Sequence, residues 1–303
     1  MVKEVEARSI LNKHKRRDDW FLDLYSISPY QGCSFNCIYC YTRGSKYGTH
    51  MSKELAVKVN TVEKLKKQLK FRWKKRQYGF IYIGGQEPYL PIEDEYQLTR
   101  KCLEVIYNYK FPVHIGTKGT MVPRDFDILR RIDEEAVIPD ELKSDPGRGV
   151  FISFSLSTLD DDLAKIFEPG APSPKERLET MKKCHEAGFF TGVNNIPVLP
   201  FLSDSEEHIE NMIKTVSEYG GDYIFVGGLT LFGKGPDDCK TLYYNTLHKH
   251  YPELVSKYKS LFRIFFAPPK EYQQRLDMLG RKFCKKYGIR YRIKDDHGQE
   301  SVR

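Results

Sequence analysis

A chain of 303 residues with 40% hydrophobic and 30% charged side chains can bury a substantial core, as one large α/β barrel-like domain or as two smaller ones. No stretch approaches the roughly 20 apolar residues of a membrane span, and MVKEVEARSILNKHKRRDDW at the start lacks an apolar run ahead of a small-residue cleavage site. A membrane protein is thereby excluded and a cytoplasmic one expected. The net charge of +8, from 49 Lys and Arg against 41 Asp and Glu, leaves nucleic acid open as a partner without requiring it.

Residues 1–20 form a basic N-terminal segment that contains KHKRR at 13–17. From there, short apolar runs alternate with amphipathic segments. Strands are predicted at FLDLYSI (21–27), YGFIYIG (78–84), PVHIGTK (112–118), VFISFSLS (150–157), FFTGVNNI (189–196) and DYIFVGG (222–228). Helical patterns fall near 61–76, 94–109, 124–132, 174–187 and 205–219. The first of these, with KLKKQLKFRWKKR at 64–76, interleaves Phe71 and Trp73 with cations, which suits phosphate contacts and base stacking. Its competing reading is a solvated helix face with Val62, Leu65 and Leu69 turned to the core. Gly188 is expected to end one helix in the left-handed conformation, and Ser203 or Asp204 to cap the next, with Glu206 and Glu207 in its first turn. DEEAVIPDELKSDPGRG (133–149) reads as an insertion or long loop.

Strands separated by helices imply parallel pairing with right-handed crossovers. Six units cannot close an eight-stranded barrel, so residues 21–232 are expected to form an open, partial (β/α)6 TIM-like barrel with ligands at the strands' carboxyl ends. Residues 233–303 read as a C-terminal α/β extension, with a helix over 239–259, LFRIFFA as a strand, a helix over 268–287, and IRYRI as its last segment.

The cysteines carry the sharpest signal. Seven of them in a chain without a secretory signal argue against a disulfide framework. Cys102, Cys184, Cys239 and Cys284 are scattered and read as buried small hydrophobes. Cys33, Cys37 and Cys40, in YQGCSFNCIYCYT, follow the first strand within eight positions. Structural zinc would need a fourth ligand, and His50, the nearest, gives a spacing that fits no usual zinc pattern. A redox pair of Cys37 and Cys40 would leave Cys33 idle. A [4Fe–4S] cluster held by three thiolates leaves one iron without a protein ligand.

This pattern resembles the radical S-adenosylmethionine superfamily, whose C-x3-C-x-aromatic-C signature matches Cys33, Cys37, Tyr39 and Cys40. The resemblance implies that the amino and carboxylate groups of S-adenosylmethionine fill the open iron position. One electron then splits the sulfonium to methionine and a 5′-deoxyadenosyl radical. GGQE after the second strand (Gly84, Gly85, Gln86, Glu87) resembles the family's Gly-Gly-Glu element, which accepts the methionine ammonium. The added Gln86 leaves two carriers of that contact, the Glu87 carboxylate or the carbonyls of Gly84–Gln86. A plain strand-end turn is the alternative for the glycines. Lys118, in TKGT after the third strand, is placed to neutralise a carboxylate. On the fourth strand Ser153, Ser155 and Ser157 share a face; Ser155, then Ser157, suits a ribose diol, against a merely polar barrel filling. Asn195 and Pro197, in NNIPVLP, are expected to line the adenine site, with Tyr39 packed against the base.

From about 27 to 232 the chain is similar to the spore photoproduct lyase-like group, through SPYQGCSFNCIYCY, EPYLPIEDEYQLTRKCLEVI, TKGTMVPRDFDIL, SFSLSTLDDDLAKIFEPGAPSPKERLETMKKCHEAG and IPVLPFLSD. By that likeness Glu168 and Arg177 would form an ion pair bracing the fourth β/α unit, or else touch the cosubstrate. The group's lyase has a hydrogen-donating cysteine near the end of the second strand, where this chain reads IYIGGQEPY. Cys102 lies in the next helix, facing away, so Tyr82 and Tyr89 are the alternative donors, against the competing reading of both as packing residues. The implied function is reductive cleavage of S-adenosylmethionine and hydrogen abstraction from a substrate, a nucleic acid or nucleotide, with a peptide or small metabolite as the runner-up. The implied electron donor is of the ferredoxin or flavodoxin kind. The alternative class is a non-catalytic iron–sulfur or zinc accessory protein that binds nucleic acid. The C-terminal 70 residues hold no second cysteine cluster, and with no coiled-coil pattern a monomer is expected.

Overall fold

The structure is a computed structural model, and it describes residues 2–46, 48 and 55–294; His50, weighed above as a zinc ligand, lies outside them. The first part of the chain forms β1 (Lys3–Val5), β2 (Asn12–Lys13), β3 (Asp23–Ile27), β4 (Tyr30–Gln31), β5 (Ala56–Lys58) and α1 (Thr61–Lys74). Then come β6 (Phe80–Ile83), α2 (Glu93–Tyr96), α3 (Leu98–Asn108), β7 (Val113–Thr117), α4 (Phe126–Glu135) and β8 (Val150–Ser155). The second half holds α5 (Asp161–Phe167), α6 (Pro174–Glu186), β9 (Phe190–Val198), α7 (Glu206–Glu218) and β10 (Tyr223–Gly228). It ends with α8 (Cys239–His250), α9 (Val255–Phe262), α10 (Lys270–Tyr287) and β11 (Arg290–Tyr291).

The six strands expected from the sequence, β3, β6, β7, β8, β9 and β10, lie side by side in chain order, every pair parallel. This is the open, partial (β/α)6 barrel that the alternation predicts. Antiparallel β2 flanks β3, and β11 extends the other edge alongside β10. Among the described residues β2 and β11 do not pair, so the sheet stays open. A separate small sheet, β1-β5-β4, has no counterpart in the predicted elements. It ties the N-terminal segment to the entry of α1, where Asn60 Oδ1 accepts the Ala7 N–H at 2.9 Å.

Local chemistry sets the boundaries. The Ser173 hydroxyl accepts from Glu176 N while the Glu176 carboxylate accepts from Ser173 N, a complete capping box with Pro174 in the first turn. Gly188 ends α6 at φ +88°. The cap of α7 is Ser205, not Ser203 or Asp204: Ser205 Oγ accepts from His208 N, while Ser203 Oγ accepts from Leu199 N and donates to the Ser157 carbonyl. The pattern near 94–109 is two helices, because Gln97 turns left-handed (φ +51°) between them. The helix over 239–259 breaks at Tyr251–Pro252, since proline cannot supply an N–H to the preceding turn. Residues 133–149 are not wholly loop; α4 runs to Glu135 and a short 3-10 turn covers Asp140–Leu142. LFRIFFA is not a strand. Leu261 and Phe262 finish α9, and Ile264, Phe265 and Phe266 are exposed (87, 61 and 55%); the β10 edge that a strand would need is already taken by β11. Helix α5 is a further element absent from the predicted set.

In α1, Leu65 and Leu69 are fully buried while the lysines face out. The helix runs antiparallel to the strands, so Phe71, Trp73 and their cations lie at the strands' amino-terminal edge, opposite the cysteine loop. Cys102, Cys184, Cys239 and Cys284 are all buried.

The barrel interior is aromatic, with Phe80 stacked on Phe151 at 4.4 Å and Phe190 on Tyr223 at 5.2 Å. Among these rings sits His114, fully buried. The Phe21 carbonyl can only accept, so Nδ1 donates to it (2.9 Å) and neutral Nε2 accepts from Ser153 Oγ (2.7 Å), which in turn accepts from the Tyr223 hydroxyl (2.7 Å). The chain of bonds is satisfied without charge, and burial lowers the imidazole pKa to about 4 from 6.5. Between these values the unfolded chain binds the extra proton, so stability rises with pH. Comparing wild type with His114→Gln by chemical denaturation should show a wild-type advantage complete above pH 6.5 and lost, by about 3 kcal/mol, as pH falls to 4.

Candidate functional site at the strand ends

The loop after β3 turns sharply through Gly32 (φ +76°) and Asn36 (φ +52°) and brings the three clustered cysteines over the carboxyl ends of the strands. It docks on the α5–α6 connection, with Ile38 N donating to Phe167 O (2.8 Å) and Gly170 N to Phe35 O (3.0 Å). A side chain at Gly170 would stand 2.4 Å from the Ser34 carbonyl, so this approach requires glycine. Cys33, Cys37 and Cys40 are free thiols that border one cavity of about 410 Å³ and a smaller adjoining one of about 200 Å³. Among the described residues no three metal-ligating side chains converge in a coordination geometry. Burial pushes the Cys33 thiol up to about 12, and that of Cys37 further. A thiolate in this loop therefore calls for compensating cationic charge.

Beneath the loop lies a buried charge. The Glu168 carboxylate accepts from the Tyr39 hydroxyl, pairs with Arg177, and has Lys118 Nζ at 3.9 Å. Arg177 also donates to the carbonyls of Pro172 (2.7 Å) and Ser155 (2.9 Å). The ion pair foreseen from the sequence thus exists, and it joins the cysteine loop to the ends of β7 and β8. Burial alone would raise the Glu168 pKa; Lys118, Arg177 and Tyr39 together outweigh it and hold the group below the usual carboxylate range. Its stabilisation is accordingly present above the unfolded carboxylate pKa and lost as pH falls.

Glu87 is differently engaged. Its carboxylate accepts from Lys118 N (2.8 Å), Tyr89 N (3.0 Å) and the Thr117 hydroxyl, and burial raises its pKa despite these donors. Of the two carriers considered for GGQE, the carboxylate is thus already tied to the end of β7. Gly84, Gly85, Gln86, Glu87, Lys118, Tyr39, Ser155 and Pro197 all line the larger cavity with the three cysteines.

Ser157 and Asn195 do not. Ser157 Oγ lies 2.7 Å from the Tyr39 hydroxyl, and Asn195 Nδ2 donates to the Leu156 carbonyl at 2.7 Å; both border a separate hollow beside α7. Alternation along β9 turns Asn194 and Ile196 to the main cavity instead, and a register irregularity opposite Val226 and Gly228 brings Pro197 round as well. Asn194 is buried, and its Oδ1 has no hydrogen-bond partner among the described residues. Also missed were Gly116 and the segment Gly228–Thr230 at the end of β10. The strand-end rule, applied to β7 and β10 as it was to β6, would have found both. Tyr89, offered as a radical donor, is buried away from the cavity with its hydroxyl on Asp125 (3.1 Å); Tyr82 lines the cavity.

Glu168→Gln leaves Arg177 charged and buried without a counter-ion. It should cost on the order of 3–5 kcal/mol in denaturant unfolding, and Arg177→Met added to it should recover much of the loss.

The sequence model of the radical SAM superfamily matches residues 27–216. An uncharacterized protein of Mycobacterium tuberculosis is 28% identical over 281 residues, covering 90% of this chain and 76% of that one. A radical SAM Nalpha-GlyT isomerase of Pseudomonas phage M6 is 23% identical over 89% of this chain and 53% of its own. Among solved structures, a cysteine-to-serine mutant of spore photoproduct lyase superposes with a TM-score of 0.68 at 16% identity, covering 94% of this chain and 78% of that one. A double mutant of that lyase, with bound AdoMet and dinucleoside spore photoproduct, gives 0.67 at 17% identity over 94% and 79%.

Proposed function

Because the chain belongs to the radical SAM superfamily, we propose that it is an enzyme that cleaves S-adenosylmethionine reductively at a [4Fe–4S] cluster and removes hydrogen from a nucleic acid or nucleotide. The observation that carries this is the convergence of three cysteines, the GGQE turn, Lys118 and an unpartnered buried acceptor, Asn194 Oδ1, on one cavity. The residues fit the group. Three thiols supply three ligands and leave the fourth position to the cosubstrate, and the thiols' reluctance to ionise is met by iron's charge. When bound, cluster and cosubstrate supply a 5′-deoxyadenosyl radical.

The chain's own part is binding, orientation and exclusion of water. Lys118 brings a positive charge for the methionine carboxylate. The carbonyls of Gly84–Gln86 suit its ammonium, since Glu87 is committed to the end of β7. Ser155 and Asn194 offer groups for the ribose and adenine. A nucleic acid substrate is supported by the net charge of +8 and by the exposed Phe265 and Phe266, the latter stacked on Phe232 two residues beyond the cavity-lining Thr230, π faces on which bases can stack. The spore photoproduct lyase structure with a bound dinucleoside is consistent with that class. The electron would come from a ferredoxin- or flavodoxin-like carrier, and a monomer would suffice.

Anaerobic reconstitution with iron and sulfide, then dithionite and S-adenosylmethionine, should yield 5′-deoxyadenosine detectable by mass spectrometry. Cys33→Ala, Cys37→Ala or Cys40→Ala should each abolish it. An iron-loaded protein that leaves the cosubstrate intact would contradict the proposal. Asn194→Val should weaken S-adenosylmethionine binding about tenfold by calorimetry, the worth of one hydrogen bond in a desolvated site.

A further inference from the structure

Tyr82 occupies a constructed place that the binding of cluster and cosubstrate does not account for. It sits on β6, paired with His114 on β7, and its ring packs against Phe21 (5.3 Å) and edge-on to His114 (5.1 Å). The phenol passes between two glycines on neighbouring strands. A Cβ at Gly84 would lie 2.6 Å from Tyr82 Oη, and one at Gly116 only 2.2 Å from it. Any other residue at either position would displace the hydroxyl, so the two glycines clear its place at the cavity floor. There it lines the same space as Cys33, Cys37 and Cys40.

Tyr41 lines the cavity too, from the cysteine loop, and other cavity and core phenols are engaged. Tyr39 bonds to Glu168 and Ser157, Tyr223 to Ser153, and Tyr89 to Asp125. The Tyr82 hydroxyl makes no hydrogen bond among the described residues. Burial raises its pKa well above the usual tyrosine range, so at neutral pH it keeps its proton. Cys102, buried in α3, does not reach the cavity.

We propose that Tyr82 is the hydrogen-atom donor to carbon-centred radicals formed in this cavity, a role that rests on the radical reading above. The phenolic O–H bond breaks homolytically and a C–H bond forms, since a phenol O–H is weaker than an alkyl C–H. The carbon radical is reduced and Tyr82 becomes a neutral phenoxyl radical. One electron from an iron–sulfur or flavin carrier, together with one proton from solvent, restores the phenol.

The test needs no identified substrate. Reconstituted protein, S-adenosylmethionine and dithionite are combined in D2O, where the Tyr82 hydroxyl exchanges to O–D. The wild type should return 5′-deoxyadenosine bearing one deuterium at C5′, and Tyr82→Phe should lose that label while still binding S-adenosylhomocysteine by calorimetry. Freeze-quenched samples should show a tyrosyl radical by electron paramagnetic resonance, with hyperfine structure altered by fluorotyrosine placed at position 82 alone; this second measurement stands even where the phenylalanine variant fails to fold. Label that persists in Tyr82→Phe, or is lost in Tyr41→Phe instead, overturns this proposal and leaves the enzyme reading intact. Failure of the wild type to form any 5′-deoxyadenosine overturns the enzyme reading itself.

Discussion

Parallel strands laid down in chain order place every strand-to-helix turn on one edge of the sheet, and the chemistry of this chain depends on that constraint. The cysteine loop, GGQE, TKGT, the end of β8, the β9 asparagine and Gly228–Thr230 at the end of β10 are separated by tens of residues. They meet because each follows, or closes, a strand pointing the same way. No individual turn forms a site. The rule that ligands gather at strand carboxyl ends is here a consequence of topology, and the aromatic interior stacked beneath the edge gives it a rigid floor.

A buried ion pair holds the mouth together. Glu168 and Arg177 are both nearly inaccessible, and a pair this deep is seldom a net source of stability compared with apolar packing. Its value here is positional. One carboxylate fixes the Tyr39 hydroxyl and attracts Lys118, while the guanidinium grips the Ser155 carbonyl. A loop, two strand ends and a helix are thereby registered against one another by groups that cannot shift without stranding a charge. A second such network, in which Arg124 and Arg100 meet Glu93 and Asp125, fixes the segment after β6 in the same manner.

Most of the sheet was legible because each of its six central strands is a short apolar run bounded by turn residues, and a parallel strand buried on both faces must read that way. The cysteine loop was legible because its spacing is itself the chemistry. Other features turned on contacts that a single segment does not encode. LFRIFFA has the hydrophobicity of a strand, yet the sheet edge was filled by residues 290–291, distant in sequence. Asn195 and Asn194 are adjacent, and one step of strand alternation decides which faces the cavity. Gly84 was read as part of GGQE, while Gly116 went unread, because the reason for it is the side chain of Tyr82, which comes from the strand next door.

The eight-stranded sheet finishes on each side in a strand of two residues, β2 and β11. Long open borders in β structure expose rows of unsatisfied peptide groups and invite another chain to add itself as the next rung. Here both borders are too short to serve as such a template. A molecule whose sheet cannot grow sideways can leave its partial barrel unclosed without the polymerisation that an uncovered flank would bring.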